Sequence, residues 1–341
     1  TQRMKVVAPL AGPFAPTQLN AALNRGIIGL PHSHTLPSLW VAASSGHGDL
    51  ENGTSMRSSL GNFITRTLGA AMLGLALIGA TACSTTETLN PVATVAPVPE
   101  KFSAIVIDAG TGTTLYSANA EQTRFPASLT KMMTVYLLFQ ALESGKISRD
   151  TPIPVSRNAA SKPASKLYLK AGSTIPVDTA IRALVVKSAN DVATAVAEFL
   201  AGGSEERFGE IMTQQARALG MSRTRFTNAS GLPDPNQVTT ATDMARLAVA
   251  LKSRYPQYYS YFSLRSFEYN GKTIRGHNKA LDMIPGADGL KTGYTRASGF
   301  NLATSARRNG RYLVGVVMGE DTSKIRDQRM TQLIEYYAFR R

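Results

Sequence analysis

Two pairs of short apolar runs predict two β-hairpins that lie far apart in the chain. The first pair covers residues 102–108 and 113–117, which flank the sequence Ala-Gly-Thr-Gly. The second pair covers residues 300–306 and 312–318, and the loop between them contains Asn309-Gly310, a pair typical of tight hairpin turns. The sequence therefore predicts antiparallel strands in two regions that are remote from each other.

Helical spacing of apolar residues dominates the region between the hairpins. Three stretches have this spacing, at residues 178–201, 205–219 and 241–252, and Met330, Leu333, Ile334 and Tyr337 repeat it near the end. No internal repeat is present in the sequence. Strands at both ends with helices between them predict one sheet built from both ends of the domain and covered by helices. This is an α/β or α+β architecture.

The first third of the chain differs from the rest. Residues 1–55 have scattered proline and glycine, few charges and no periodicity, which indicates loop or disordered structure. From Met56, basic residues precede a short apolar run at residues 68–82 that ends in small side chains. This pattern is typical of a secretory signal peptide, because a membrane-spanning helix needs roughly 20 apolar residues. We expect residues 56–83 to direct export and residues 1–55 to be an extension upstream of the native start.

Cys83, the single cysteine, directly follows this apolar run. Its position resembles the lipid-attachment site of bacterial lipoproteins, although Ala80 stands where such sites usually have leucine. Ordinary cleavage after Ala82 and lipidation of Cys83 both stay open. Residues 84–100 are rich in Thr, Pro, Ala and Val and are expected to form a flexible tether. The sequence thus predicts an exported, periplasmic protein, whose only membrane contact would be a lipid anchor on Cys83.

Composition narrows the function classes for residues 101–341, which we expect to form one catalytic domain. The single cysteine excludes a disulfide framework. The 341-residue chain has 37 Lys+Arg and 23 Asp+Glu, a net charge of +14, which favours anionic partners such as an acidic wall polymer. The basic residues are dispersed, so nucleic acid is not an expected partner. Only His277 of the four histidines lies in this domain, which argues against histidine-based chemistry, and we interpret it as structural.

The first candidate chemistry is the sequence from Ser128 to Lys131, Ser-Leu-Thr-Lys, at the start of the most apolar helical segment of this domain. Residues three apart on a helix share a face, so the hydroxyl and the amine are expected to lie close together. A serine hydroxyl is a weak nucleophile until a base takes its proton, and a buried lysine with a lowered pKa can be that base. The alternative is a helix-capping serine beside a surface lysine.

Two further motifs follow at long spacing. Ser188-Ala189-Asn190 comes directly after the apolar residues 183–186, and Lys291-Thr292-Gly293 is expected to lie on a short strand. The glycine permits close backbone approach, so the strand edge could receive an extended peptide. Each triplet alone has an ordinary structural explanation, such as helix capping or chain turning. Their order and spacing after a single Ser-x-x-Lys are specific.

In these motifs the sequence resembles the penicillin-interacting serine hydrolases, and more closely the low-molecular-mass D-alanyl-D-alanine carboxypeptidases of peptidase family S11. The resemblance covers roughly residues 101–337 and includes PASLTKMMT, NASGLPDPNQVTTATDMARLA and Asp288-Gly289-Leu290. It implies a serine β-lactamase/DD-peptidase-like fold with a central antiparallel sheet, flanking helices and an inserted helical subdomain. It also implies peptidoglycan stem peptides as substrates, β-lactams as ligands, and no metal or organic cofactor.

The resemblance assigns catalytic roles to five residues. Ser128 would attack the carbonyl of the penultimate D-Ala and form an acyl-enzyme, with Lys131 as the general base. Ser188 would pass the proton to the leaving amine, and Asn190 would hold the amide of the acyl chain and orient Lys131. Lys291 would supply positive potential and a hydrogen bond to Ser188.

The resemblance also assigns substrate-binding roles. Thr292 would bind the free carboxylate of the substrate, with help from Arg326. The backbone N–H groups of Ser128 and Tyr294 would hold the oxyanion, and Gly293 would allow close approach. A solvated charge on a helix face is the alternative interpretation of Arg326.

Other functions stay open on the sequence. A DD-endopeptidase that cuts peptidoglycan crosslinks would use the same motifs, and an inactive wall-binding lipoprotein would keep the cleft without reacting. A class A β-lactamase would need a further glutamate in a Glu-x-x-Leu-Asn context. None of the acidic candidates has that context: Glu198, Glu205, Glu206, Glu210 and Glu268.

Two features depart from the family pattern. Ala189 replaces the glycine of the more common Ser-Gly-Asn motif and adds a methyl group to the cleft. The chain ends at Arg341, where many relatives continue into a β-rich domain and an amphipathic anchoring helix. Any membrane anchor is therefore expected at the N-terminus.

Overall fold

The computed structural model describes residues 99–340. The expectations for the extension at residues 1–55, for the signal segment 56–83 with Cys83, and for residues 84–98 of the tether lie outside this range.

The described residues form nine strands, eight α-helices and three short helical turns. The strands are β1 (Ser103–Asp108), β2 (Thr113–Ala118), β3 (Pro152–Pro154), β4 (Thr174–Pro176), β5 (Ser266–Tyr269), β6 (Lys272–Arg275), β7 (Ala287–Thr295), β8 (Gly299–Arg308) and β9 (Arg311–Glu320). The α-helices are α1 (Lys131–Glu143), α2 (Arg157–Ser161), α3 (Val177–Arg182), α4 (Asn190–Leu200), α5 (Glu205–Ala218), α6 (Ala241–Arg254), α7 (Ala280–Met283) and α8 (Ser323–Phe339). The turns are two 3-10 helices, Ala127–Thr130 and Tyr259–Ser263, and a π-helix, Ala183–Lys187.

The main sheet has five strands in the order β2-β1-β9-β8-β7, all paired antiparallel. Both predicted hairpins are confirmed, and Asn309 and Gly310 have the positive φ angles, 47° and 74°, that a tight turn requires. Because β1 pairs with β9, the sheet is built from both ends of the domain, as predicted. The helices α1–α7 and the small sheets β3–β4 and β5–β6 lie in the chain between β2 and β8.

The strand β1 of the main sheet is buried on both faces. In β1, Ile105 and Ile107 belong to the core on the side of the helical insertion, whereas Val106 belongs to the core that contains Met330 and Ile334 of α8. This alternation is the period of two that a strand imposes. The helix α8 packs directly on β9, since a Cβ added at Gly315 would lie 2.6 Å from the sulfur of Met330.

The helix α1 is buried on nearly every side. Each residue from Lys131 to Phe139 is buried, as the uninterrupted apolar sequence predicts. The Lys131 side chain is therefore buried together with its amine and does not reach the surface.

The predicted helix at residues 178–201 is wrong in one respect. The structure divides it into α3, the π-helix and α4, and Ser188 before α4 has a left-handed backbone with φ 60° and ψ 39°. Residues on both sides of the break, such as Val186 and Val192, are buried in the same core. Hydrophobic spacing therefore continues across the break and cannot reveal it. The predicted helices at residues 205–219 and 241–252 are confirmed as α5 and α6.

Candidate active site

Ser128 lies in the 3-10 turn directly before α1, and not in the first turn of the α-helix as its spacing from Lys131 suggested. Ala127 has φ 47°, a left-handed conformation that costs a non-glycine residue about 1–3 kcal/mol. Two glycines contact the backbone of this turn closely. A Cβ at Gly231 would lie 1.9 Å from the carbonyl oxygen of Ala127, and one at Gly293 would lie 3.0 Å from the backbone nitrogen of Ser128.

The amine of Lys131 is surrounded by polar atoms from three parts of the chain. Its Nζ lies 3.3 Å from Ser128 Oγ and donates hydrogen bonds to Asn190 Oδ1 at 2.7 Å and to the carbonyl oxygen of Ser230 at 2.5 Å. The lysine is only 1% exposed, and the Ser128 turn has no side-chain cap. The alternative of a capping serine beside a surface lysine is therefore wrong.

Two buried amines lie in this cleft, and burial lowers the pKa of both. Burial lowers the pKa of Lys131 well below its ordinary value, and the charge of Lys291 lowers it further, against opposing effects of Asp191 and Glu205. Burial, and then the charge of Arg326, lower the pKa of Lys291 to about 7. These shifts favour the neutral form of Lys131, which can accept a proton.

Asn190, the first residue of α4, has its amide oriented by two hydrogen bonds. Its Oδ1 accepts from Lys131, and its Nδ2 donates to the carbonyl oxygen of Pro163 at 3.0 Å. The next residue, Asp191, is fully buried and accepts backbone hydrogen bonds from residues 167 and 169 at 3.0 Å each. The loop that carries Pro163 is thereby held beside α4.

Ser188 does not form the hydrogen bond expected from the sequence. Its Oγ is buried and has no partner within residues 99–340, and Lys291 Nζ instead donates to the carbonyl oxygen of Thr292 at 2.9 Å. The buried amine thus donates to a carbonyl oxygen of its own strand. A buried hydroxyl without a partner costs about 1–3 kcal/mol, so Ser188 retains a hydrogen-bonding capacity that another molecule can use.

The motif Lys291-Thr292-Gly293 lies in the middle of β7, which is longer than the short strand expected. Within the described residues, β7 pairs only with β8 and is an edge strand, as predicted. Tyr294 is 55% exposed, and its ring stacks on Phe300 with the ring centroids 4.1 Å apart. The strand therefore offers an open edge and an exposed aromatic ring beside the Ser128 turn.

Arg326, in the first turn of α8, is 4% exposed. Its guanidinium donates to the carboxylate of Asp327, at 2.9 Å from Nε and 2.6 Å from Nη2, and to the carbonyl oxygen of Asn301 at 3.3 Å. The alternative of a solvated charge on a helix face is therefore wrong. Its charge acts on Lys291, which places positive potential at this end of the cleft.

Asn301 is a residue that the sequence analysis missed. It is fully buried in β8 opposite Gly293, and its Nδ2 donates to the carbonyl oxygens of Phe125 and Pro126 at 3.0 and 3.1 Å. Its Oδ1 accepts from the backbone of Gly319 at 2.9 Å. These bonds connect the sheet to the segment before the nucleophile, a contact that no local sequence pattern indicates.

Glu205, at the start of α5, was considered above only as a β-lactamase acid. Its Oε1 accepts from the backbone N–H of Ala229 at 3.3 Å, and its Oε2 lies 2.7 Å from Lys162 Nζ. Ala229 directly precedes Ser230, whose carbonyl oxygen accepts from Lys131. Lys162 directly precedes Pro163, whose carbonyl oxygen accepts from Asn190. Glu205 therefore connects the two loops that hold the catalytic amine and amide.

His277 is exposed in the loop before α7, and its ring makes no hydrogen bond or ion pair with the described residues. Its interpretation as a structural residue stays a prediction. Among residues 99–340, no group of three or more His, Cys, Asp or Glu side chains is arranged to hold a metal ion.

The chain is similar to a family of known enzymes. A model of the family described as peptidase S11, D-alanyl-D-alanine carboxypeptidase, matches residues 92–322. The D-alanyl-D-alanine carboxypeptidase DacD of Escherichia coli K12 is 37% identical over 250 residues, which are 70% of this chain and 64% of DacD. The D-alanyl-D-alanine carboxypeptidase DacA of the same strain is 35% identical over 247 residues, 70% of this chain and 61% of DacA. The chain thus spans less than two thirds of the length of these relatives.

Solved structures share this fold. Penicillin binding protein 6B from Escherichia coli matches with a TM-score of 0.65 and 36% identity, over 72% of this chain and 80% of that chain. Penicillin-Binding Protein D2 from Listeria monocytogenes, in its ampicillin-bound form, matches with a TM-score of 0.64 and 31% identity, over 70% of this chain and 96% of that chain.

Proposed function

Because the chain belongs to the D-alanyl-D-alanine carboxypeptidase family, peptidase family S11, we propose that it removes the terminal D-Ala from peptidoglycan stem pentapeptides through a Ser128 acyl-enzyme. The observation that carries this proposal is the buried Lys131 amine, held between Ser128 Oγ, Asn190 Oδ1 and the Ser230 carbonyl. This arrangement can take a proton from the serine hydroxyl.

In the acylation step, Lys131 is the general base. A neutral amine has two N–H groups and one lone pair. The oxygens of Asn190 and Ser230 accept the two N–H groups, which leaves the lone pair for the proton of Ser128. Ser128 Oγ then bonds to the carbonyl carbon of the penultimate D-Ala. As the C–N bond breaks, the proton on Lys131 passes through Ser188 Oγ, which has no hydrogen-bond partner among residues 99–340, to the leaving nitrogen of D-Ala.

The substrate in this proposal lies along the open edge of β7. Thr292 and Arg326 bind its terminal carboxylate, and Lys291 adds positive potential there. The N–H groups of Ser128 and Tyr294 hold the oxyanion, and loss of one such donor typically costs about 10²–10³ in rate. The close approach at Gly293, with a Cβ position 3.0 Å from Ser128 N, supports this pairing of the two backbone segments.

Hydrolysis of the acyl-enzyme completes the cycle. Lys131, neutral again, takes a proton from water, and the water oxygen bonds to the ester carbonyl. The bond to Ser128 Oγ then breaks, and the proton returns to that oxygen. A β-lactam acylates the same serine by opening its ring C–N bond, and the ring nitrogen stays in the adduct. The ampicillin-bound and cefotaxime-bound relatives from Listeria monocytogenes support this step.

Incubation with isolated peptidoglycan, followed by muramidase digestion and HPLC, tests the reaction. We expect monomeric pentapeptides to become tetrapeptides with the wild type and not with Ser128→Ala. Loss of crosslinked dimers while monomeric pentapeptides persist would instead show an endopeptidase. Rapid turnover of nitrocefin would favour a β-lactamase.

We also propose that the protein acts outside the cytoplasmic membrane, guided by the signal-like residues 56–83. No helix in residues 99–340 is long and apolar enough to cross a membrane. Cys83 is the candidate anchor. Mass spectrometry of the mature N-terminus would find a diacylglyceryl group on Cys83 if this holds, whereas an unmodified N-terminus after Ala82 would contradict lipidation.

A further inference from the structure

Strand β7 contains one extra residue, Asp288, three positions before Lys291. Its neighbours Ala287 and Gly289 pair with consecutive residues of β8, so Asp288 is the additional residue of a β-bulge. Side chains alternate between the two faces of a strand, and a shift of the pairing by one residue would turn Lys291 to the opposite face of the sheet. The bulge therefore determines which face of the sheet presents the Lys291 amine.

The carboxylate of Asp288 connects the bulge to other elements. Its Oδ1 accepts from Ser305 Oγ in β8 at 2.5 Å and from the hydroxyl of Tyr312 in β9 at 3.1 Å. Its Oδ2 lies 2.8 Å from Lys252 Nζ in α6. The backbone carbonyl oxygen of the same residue accepts from Ser263 Oγ at 2.9 Å. Four side chains from separate elements thus hold this one residue in place.

The hydrogen bonds of Ser305 have a fixed direction. A serine hydroxyl has one proton and a carboxylate only accepts, so this proton is donated to Asp288. The hydroxyl of Tyr259, which lies 2.6 Å from Ser305 Oγ, is then the donor of that pair. Burial raises the pKa of Tyr259 well above its ordinary value, which keeps its proton in place. The Asp288 carboxylate is therefore the final acceptor of a buried chain of hydroxyl groups.

Lys252 supplies the opposite charge for this carboxylate and is itself held by aromatic rings. Its Nζ lies 4.2 Å from the ring centroid of Tyr259 and 4.9 Å from that of Tyr312, distances at which an ammonium group is attracted to a ring face. A strand advances about 3.3 Å per residue, so Asp288 is about 10 Å from Lys291 along β7. Asp288 can therefore act on the reaction through the backbone of β7.

We propose that Asp288 is a positioning residue, which fixes the register of β7 and thereby places Lys291-Thr292-Gly293 beside Ser128. The inference rests on the proposed carboxypeptidase function, in which Thr292 binds the terminal carboxylate of the substrate. A Cβ at Gly293 would lie 3.0 Å from the backbone nitrogen of Ser128, so the two segments have little room for a shifted strand. A displacement of about 1 Å can cost about 10²-fold in rate.

The test compares acylation by benzylpenicillin with acylation by its carboxamide, in which an uncharged amide replaces the free carboxylate. Wild type is expected to react faster with benzylpenicillin, because Thr292 and Arg326 bind the carboxylate. In Asp288→Ala we expect acylation by benzylpenicillin to be slower by about 10²-fold. The preference for the carboxylate should fall by roughly tenfold, as for a lost hydrogen bond to a charged group. Partial unfolding alone would slow both reactions equally and leave their ratio unchanged.

Two further variants separate the contacts of the carboxylate. Asp288→Asn keeps an oxygen that can accept from Ser305 and Tyr312, and it is expected to retain the preference. Ser305→Ala removes the nearest donor to Oδ1 and should lower the preference in the same direction as Asp288→Ala. Should Asp288→Ala fail to fold, Ser305→Ala gives the same comparison.

Asp178→Ala is the matched control. Asp178 in α3 is 29% exposed, compared with 28% for Asp288, and it also accepts from a cation, Arg182, and from the hydroxyl of Tyr261. Its loss removes a similar set of contacts outside β7. We therefore expect the ratio of the two acylation rates to stay at the wild-type value.

A ratio that Asp288→Ala leaves unchanged, or that Asp178→Ala lowers equally, would overturn the inference, while acylation of the wild type upholds the proposed function. A wild type that reacts equally with both ligands would contradict the carboxylate site at Thr292. A wild type that reacts with neither ligand would contradict the proposed function. Either of these two results would also overturn the inference.

Discussion

At the residue scale, Lys131 and Lys291 link reactivity to stability, because both amines are buried and burial lowers the pKa of each. Burial of a lysine lowers the free energy of unfolding at every pH at which that lysine is protonated in the unfolded chain, because the charged form loses its hydration in the folded protein. The same burial favours the neutral amine that the proposed mechanism needs. The chemistry and its cost in stability therefore have one physical cause.

Lys291→Met should stabilise the protein while it impairs the reaction. The pKa of Lys291 falls from 10.5 in the unfolded chain to about 7 in the folded protein. Below about pH 7, Lys291 is protonated in both states, and the folded state has the full free-energy cost of a buried charge. Between pH 7 and 10.5 the unfolded state binds more protons than the folded state, so the free energy of unfolding rises with pH. Urea unfolding at about pH 6 should show a gain of about 1–4 kcal/mol for the variant.

This gain should shrink as the pH rises toward the ordinary range of lysine. Lys272→Met, at an exposed position in β6, is the control and should show no such pH-dependent gain. A Lys291→Met variant that is less stable than wild type at low pH would contradict the buried-charge explanation.

Glu205→Gln should shift the pH dependence of acylation. The glutamine keeps an oxygen that can accept from Ala229, but the negative charge that raises the pKa of Lys131 is lost. The pKa of Lys131 then falls further, so the acidic limb of the profile of acylation rate against pH should move to lower pH. Glu205→Ala also removes the connection between the loops, and we expect it to slow acylation by about 10²-fold.

Glu206→Gln is the matched control, because this neighbour in α5 has the same charge but is exposed. Rates of acylation by a fluorescent penicillin, measured across pH, give the comparison. An acidic limb that does not move in Glu205→Gln, or moves equally in Glu206→Gln, would refute the effect of Glu205 on Lys131.

At the element scale, the position of Ser128 depends on the segments that contain Gly231 and Gly293. Each segment approaches the backbone of the Ser128 turn closely because glycine has no side chain. Gly231→Ala tests this. Its φ of +84° disfavours alanine, and the new Cβ would lie 1.9 Å from the carbonyl oxygen of Ala127, so the Ser128 turn must move. A displacement of about 1 Å can cost about 10²-fold in rate, which we expect for penicillin acylation.

Gly271→Ala separates the two causes. This residue has a similar φ of +70° but no atom within 4 Å of its Cβ position, so the variant has the backbone cost without the clash. We expect acylation close to wild type. Equal losses in both variants, or full activity of Gly231→Ala, would contradict direct support of Ser128 by Gly231.

The sequence predicts elements well where their local pattern and their packing agree. The two hairpins follow from apolar runs around turn residues, and α1 follows from a run that is apolar on nearly every side. The break at Ser188 could not be predicted, because buried residues on both sides continue the helical spacing. The expected bond between Lys291 and Ser188 was wrong because rotamers depend on nearby acceptors such as the Thr292 carbonyl.

At the scale of the whole molecule, the site exists only because distant parts of the chain meet. Lys131 binds residues that follow it by 59 and 99 positions, and Asn301 binds the carbonyl of Pro126 across 175 positions. The spacing of the motifs predicts the first of these contacts through the family resemblance. The contacts of Asn301, Glu205 and Ser230 lie outside the three motifs. That residues 101–341 form one catalytic domain stays a prediction.

The most direct test of the account is the mass of the intact protein after exposure to penicillin, followed by peptide mapping. We predict one penicilloyl group on the wild type, located on the peptide that contains Ser128, and none on Ser128→Ala. Lys131→Met, which removes the proton acceptor, should give no adduct on the same timescale. An adduct that survives in Ser128→Ala, or that forms equally fast in Lys131→Met, would contradict the claim that the buried amine activates this serine.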